Sequence, residues 1–151
     1  MERSVLGQFV IAKLDEMIDV VAGMDATDVN VVPALPGANS AYQILYHCLG
    51  MAAQWTREDV LGLPTGRDRS VEFQQAGDVD GLIVQARAVR AQLLVDLASM
   101  RHDQAPSSLA RARDTFWVGS AEGILLHVLE ELCQHFGHLE ITRDLVAGKA
   151  A

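Results

Sequence analysis

Leu126-His127-Val128-Leu129-Glu130-Glu131-Leu132-Cys133-Gln134-His135-Phe136-Gly137-His138 reads as a helix with two different faces. At about 100° per residue, positions 127, 131, 135 and 138 fall within a stripe roughly 80° wide. His127, Glu131, His135 and His138 therefore share one side. Leu125, Val128, Leu132, Phe136 and Leu139 occupy the adjoining sector, so the ionisable stripe borders the core instead of lying opposite it. Ser120, ahead of this apolar run, is the expected N-cap, and the helix is expected to continue to about Val146, with Gly148 just beyond.

Working outward, three more segments carry helical spacing. The first, from about Glu2 to Val21, repeats Leu6, Phe9, Val10, Leu14, Met17, Ile18 and Val21, with Asp15, Glu16 and Asp19 off the stripe. The second is capped by Asn39 or Ser40 and runs through Ala41, Ile44, Leu45, Leu49, Ala52 and Trp55 to about Val60. It is nearly uncharged around its circumference as far as Thr56, which predicts deep burial. The third, capped by Asp78, presents Leu82, Ile83, Ala86, Val89, Leu93, Leu94 and Leu97 to a core and leaves Arg87 and Arg90 to solvent.

The connections Asp25 to Ala38, Gly62 to Gly77 and Met100 to Gly119 hold all four prolines and many short polar residues, including Ser107 and Ser108. No stretch alternates as a strand does. The expected fold is all-α, a single four-helix bundle forming one domain over residues 1–151.

Composition narrows the function classes. A chain of 151 residues is the size of one domain. Half of it is hydrophobic and 21% is charged, which excludes the signature of disorder. Twenty acids against 12 bases leave a net charge of −8, a field that repels phosphate backbones and anionic membranes. The bases never gather into a stripe, so no nucleic-acid partner is expected. The longest stretch without Asp, Glu, Lys or Arg, Val29 to Thr56, is broken by Pro33, Pro36, Gly37, Asn39, Ser40 and Gln43, so no membrane span is expected. Met1 is followed at once by Glu2 and Arg3 without a secretory pattern, so a cytoplasmic location is expected. Cys48 and Cys133 lack CxxC spacing and are expected as small core residues, not as a disulfide.

The chemistry lies in the helix stripe. A Glu and a His at i and i+4 can aim ligand atoms at one ion, the helical geometry that also serves the two histidines of an HExxH zinc site. Glu131 and His135 have that spacing, and the uncharged second helix contains one histidine, His47. A buried imidazole needs a partner. A divalent cation shared by His47, Glu131 and His135 supplies one, while a solvated surface pair at 131 and 135 is the bland alternative. Zn²⁺, Ni²⁺ and Fe²⁺ all suit such a nitrogen and oxygen donor set. His102 belongs to a polar loop.

At these residues the chain resembles the DinB-like superfamily, and most closely the branch of the mycothiol-dependent maleylpyruvate isomerase N-terminal domain and the mycothiol S-transferases. The resemblance spans nearly the whole chain and is carried by Tyr46-His47-Cys48-Leu49-Gly50, by Gly66-Arg67-Asp68-Arg69-Ser70-Val71-Glu72-Phe73, and by Leu126 to Glu131 with His135 to Leu139. It implies an up-down-down-up bundle whose metal is held by His47, Glu131 and His135. Many members carry histidine where this chain has Glu131, and the mycothiol branch carries glutamate. It also implies that His127 and His138 stand beside the metal or in the pocket. The isomerase has a further domain after the bundle, whereas this chain stops at Ala151, so the expectation is thiol transfer on the bundle alone.

The leading functional expectation is a metal-dependent transferase that places a mycothiol-like thiol, as a metal-bound thiolate, on a small electrophile. His138 or a water accepts the thiol proton, and Arg67, Arg69, Trp55 and Trp117 are candidates for the pocket mouth, with an ion-paired loop and core tryptophans as the bland alternative. The alternative is a non-catalytic metal- or ligand-binding helical module, or a plain bundle in which His47 finds hydrogen bonds within the protein. A homodimer is the base-rate assembly.

Overall fold

Local chemistry sets where the helices start. In the computed structural model, which describes residues 1, 4–107 and 115–148, four long helices each begin at a serine or aspartate whose side chain accepts a backbone N–H three residues on. Ser4 takes Gly7 N–H and starts α1, Val5–Ala22. A single turn, α2, Ala26–Val29, follows. Ser40 and Gln43 then form a reciprocal capping box at the head of α3, Ala41–Ala53. Asp78 caps α4, Val79–Ser99, and Ser120 caps α5, Ala121–Val146. Glu2 and Arg3, at the start of the first expected helix, and Ser108, in the third connection, lie outside the described residues. No strand occurs among the described residues.

α1 packs on α4 and α5, and α3 packs on the same two helices. Leu14 and Met17 of α1, Leu45 and Leu49 of α3, Leu82 and Leu97 of α4, and Ile124, Leu125, Leu132 and Leu139 of α5 are almost wholly removed from water. Burying a side chain of this size contributes about 1.5–3 kcal/mol, which makes this interior the main source of stability. α3 is buried on several faces, as its lack of charge requires. None of the helices is long and apolar enough to cross a membrane, among the described residues.

The structure departs from the expected pattern at several places, each with a local cause. Phe9 is exposed and Ile11 takes a place in the core. Position 9 sits about 100° round the helix from Val10, on the side away from Ile11, so it leaves the centre of the stripe. The first connection is not all loop, because α2 drops Val29 into the core as a fully buried plug. Asn30 then exchanges two hydrogen bonds with the backbone of Gly77, tying the first connection to the second. The second connection contains a 3-10 helix, Arg69–Gln74, opened by Asp68, which accepts from both the backbone and the hydroxyl of Ser70. Arg90 is paired with both carboxylate oxygens of Asp15, tying α4 to α1 at the half-exposed surface. Cys48 is buried as expected, but Cys133 is exposed, and both are free thiols.

α3 does not stop at Ala53. Its last turns widen into a π-helix, Gln54–Val60, in which the Thr56 hydroxyl donates to Ala52 C=O. The wider turn carries Trp55, Thr56, Asp59 and Val60 to the interior together. Beside it, the Trp117 carbonyl runs so close to α5 that a Cβ at Gly123 would lie 2.0 Å from its oxygen. Gly137, in the same helix, faces open space.

Alanine at these two positions is therefore expected to act with opposite signs. Gly123→Ala should lower stability by about 1–3 kcal/mol through overpacking, and Gly137→Ala should raise it by up to about 1 kcal/mol through helix propensity. Urea unfolding of the two variants reads the difference. Equal effects would mean that the Trp117 carbonyl does not dictate the glycine.

Candidate functional site

Three ligand-bearing side chains converge where α3 faces α5. One donor atom each from His47, Glu131 and His135 lie within 4.8 Å of one another, the one such group of three among the described residues. His47 is buried in the uncharged helix, while Glu131 and His135 stand one turn apart on α5 and are half-buried. The two imidazole rings meet edge to face with centroids 4.6 Å apart.

The spacing within the cluster is that of ligands more than of bonded partners. His135 Nε2 lies 3.6 Å from Glu131 Oε2, beyond a good hydrogen bond. Donors around a tetrahedral ion at about 2.0–2.1 Å stand roughly 3.4 Å apart. His135 Nδ1 is buried without a hydrogen-bond partner, so the protein alone leaves this ring incompletely satisfied. Burial, reinforced by the neighbouring His47, holds the His135 pKa below its ordinary value, against the opposite pull of Glu131. A neutral imidazole is the form that binds a metal. Two nitrogens and one oxygen gathered within 4.8 Å, one of the rings kept neutral by burial, are a donor set that fits a divalent cation.

His47 is held from behind. Its Nδ1 is 2.6 Å from Glu72 Oε2, and both side chains are nearly inaccessible to water. Arg67 grips the same carboxylate, Nε to Oε1 at 2.5 Å and Nη2 to Oε2 at 3.0 Å, and also donates to Gln54 Oε1. Burial raises the Glu72 pKa, but the hydrogen bonds from Arg67 and His47 outweigh it, and the net shift is downward. Phe73 stacks on the His47 ring at 4.9 Å. Glu72 is the residue that helix spacing misses. It lies in the 3-10 turn of a connection, and in the sequence that stretch stood out through the family resemblance carried by Gly66 to Phe73.

The other expected residues take different places. His127 lies flat against Trp117, with centroids 3.9 Å apart, and edge-on to Trp55 at 5.4 Å. Its Nε2 is 3.9 Å from Glu131 Oε1, which puts it beside the cluster. Trp55, expected at a pocket mouth, is buried in the core, and Trp117 half-covers His127. Arg67, expected at the same mouth, is directed inward and its guanidinium is committed to Glu72 and Gln54, because a buried cation must be paired. Arg69 is exposed. His138 is exposed on α5, its ring 5.6 Å from that of His135. Both rings line a cavity of about 190 Å³, whose other walls include Pro33, Leu35, Ile44 and Ile141. His102 sits on the surface near Glu122.

The Cys48 thiol lies one residue from His47 but is buried, and burial, together with the nearby Glu131 and Glu72 carboxylates, pushes its pKa far up. It is not a nucleophile at neutral pH. Any attacking sulfur must therefore come from outside the core.

The family model of mycothiol S-transferase matches residues 5–148. No curated protein and no solved structure gives a match. The matched stretch contains both ends of the cluster, His47 on α3 and the Glu131 and His135 pair on α5. The chain belongs to the mycothiol S-transferase family.

Proposed function

We propose that this chain is a metal-dependent transferase that joins a mycothiol-like thiol to a small electrophile, and that it is one domain, a DinB-like four-helix bundle of up-down-down-up order. The observation that carries the reading is the approach of His47, Glu131 and His135 to within 4.8 Å across two helices distant in sequence. The mutual packing of α1, α3, α4 and α5 supports the bundle. The family supports the thiol.

In this reading His47, Glu131 and His135 hold Zn²⁺, or Ni²⁺ or Fe²⁺ in its place, with one position left for a small molecule. A divalent ion held by these residues would supply Lewis-acid chemistry, lowering the pKa of a thiol. Every other step belongs to the protein's own groups. Glu131 brings one negative charge to two neutral imidazoles, leaving a net positive centre that favours an anionic sulfur. The buried core behind His47 keeps water from that side. His138, in the cavity wall next to His135, is placed to accept the thiol proton through a water. The apolar part of the same cavity suits the electrophile's carbon skeleton. Arg69, exposed on the 3-10 helix, is available to an anionic part of the thiol or substrate. Trp117 forms a wall through its stack on His127.

Metal content of the purified protein tests the centre directly. Close to one equivalent of a divalent metal is expected in the wild type and a small fraction of that in His135→Ala. Equal content in the two would remove His135 from the ligand set. Acid should release the ion, because protonating either histidine destroys a donor. The depressed pKa of His135 means that this ring needs a lower pH than a free imidazole before it competes for a proton. Activity is read by incubating the protein with mycothiol and a panel of electrophiles while following free thiol. Consumption should stop on chelation of the metal and return on its replacement. Thiol loss that ignores the chelator would refute the mechanism.

A further inference from the structure

We infer that Glu72 is a positioning residue that fixes the tautomer and orientation of His47, and that Gly50 stands in α3 to make room for it. The inference deepens the reading of a metal held by His47, Glu131 and His135, and rests on it for the metal-binding consequence alone.

The hydrogen bond decides where the proton sits. Glu72 grips Arg67 through both oxygens, so it is an ionised carboxylate that can only accept. Its Oε2 lies 2.6 Å from His47 Nδ1, which must then carry the hydrogen. Arg67 Nη2 also comes within 3.4 Å of Nδ1, but it is itself a donor and cannot compete with the shorter contact. With Nδ1–H donating to Glu72, the lone pair of His47 lies on Nε2. A carboxylate behind a ligating imidazole also raises the basicity of the ring and stops it from turning. Phe73, next in sequence, closes one face of the ring by stacking on it.

The carboxylate in turn needs a seat. Position 50 lies three residues after His47 on α3, on the same side of the helix. A Cβ there would stand 2.9 Å from Glu72 Oε1 and 3.2 Å from Arg67 Nε. Glycine inside a helix is less stabilising than alanine. At position 50 that cost is offset by letting the ion pair lie directly against the helix backbone. Helix interior, loop arginine and loop carboxylate thus form one support for a single imidazole nitrogen.

A purely structural ion pair, docking the second connection onto α3, would make stability the only casualty of its loss. A positioning role predicts two further changes. Protein labelled with ¹⁵N at histidine and stripped of metal should show His47 as the Nδ1–H tautomer, and Glu72→Gln should convert it to a mixture. Zn²⁺ affinity, measured by competition with a chromophoric chelator, should fall about 10–100-fold in Glu72→Gln. Gly50→Ala should also weaken Zn²⁺ binding, although alanine is the better helix former.

Should the single Glu72 variant fail to fold, Arg67→Met combined with Glu72→Leu removes both charges and the acceptor while filling the space with apolar atoms. The same tautomer mixture and the same loss of affinity are expected. A folded variant that keeps the Nδ1–H tautomer and binds Zn²⁺ within about twofold of wild type would overturn the role of Glu72. If the wild type takes up no Zn²⁺, the metal reading and the affinity consequence fall. The labelled imidazole then settles the orienting role separately, upheld if the tautomer is lost with Glu72 and overturned if it is not.

Discussion

An imidazole buried in the middle of a helix has two nitrogens that water no longer satisfies, and each must find something else. His47 meets this constraint in two directions. Behind it, Glu72 accepts from Nδ1 within a nearly dry network anchored by Arg67 and Gln54. In front, one of its ring nitrogens lies within 4.8 Å of ligand atoms of Glu131 and His135 on another helix. Leaving either direction empty would cost the desolvation of a polar group, of order 1–3 kcal/mol. That requirement draws α3, α5 and the second connection to one point.

Much of the irregular structure serves the same neighbourhood. The second connection folds into a 3-10 turn that places Glu72 and Phe73 against His47. The π-helical widening after Ala53 turns Trp55 inward, where it meets Trp117 and the edge of His127. Trp117 itself comes from the segment that presses on Gly123. Gly50 and Gly123 are thus comparable devices, each trading helix propensity for the close approach of another part of the chain. Elsewhere the helices start on ordinary caps and pack through ordinary leucines, isoleucines and methionines.

The charges are unevenly used. Arg90 with Asp15 and Arg101 with Asp103 are partly or fully solvated pairs of small energetic worth. Arg67 with Glu72 is buried, and breaking such a pair on one side leaves an uncompensated ion in the interior, a loss of about 3–5 kcal/mol. A buried pair of this kind is weak as a source of net stability, since apolar residues could fill the space as well. Its value lies in orientation. It keeps a carboxylate ionised at a fixed spot behind an imidazole, which an apolar pair cannot do.

Residues whose partners lie within one helical turn are legible in the chain itself. Asp78 and Ser120 could be named as caps, and the third narrowed to Asn39 or Ser40, because a cap bonds only three residues ahead. Glu131 and His135 could be paired because four residues along a helix is a fixed distance. His47 could be joined to them because a lone histidine in an uncharged helix asks for a partner. The sequence alone therefore determined the all-helical class, the starts of three of the four long helices and the three converging donors, while the Ser4 cap of α1 went unread. Only the tertiary structure decided that Glu72 stands behind His47, that Arg67 points inward, that Phe9 and Cys133 face water, and that Trp55 belongs to the core. The physical reason is range. Those placements depend on where a connection lies against a helix and on which edge of a stripe meets a neighbour, and neither has a fixed spacing along the chain.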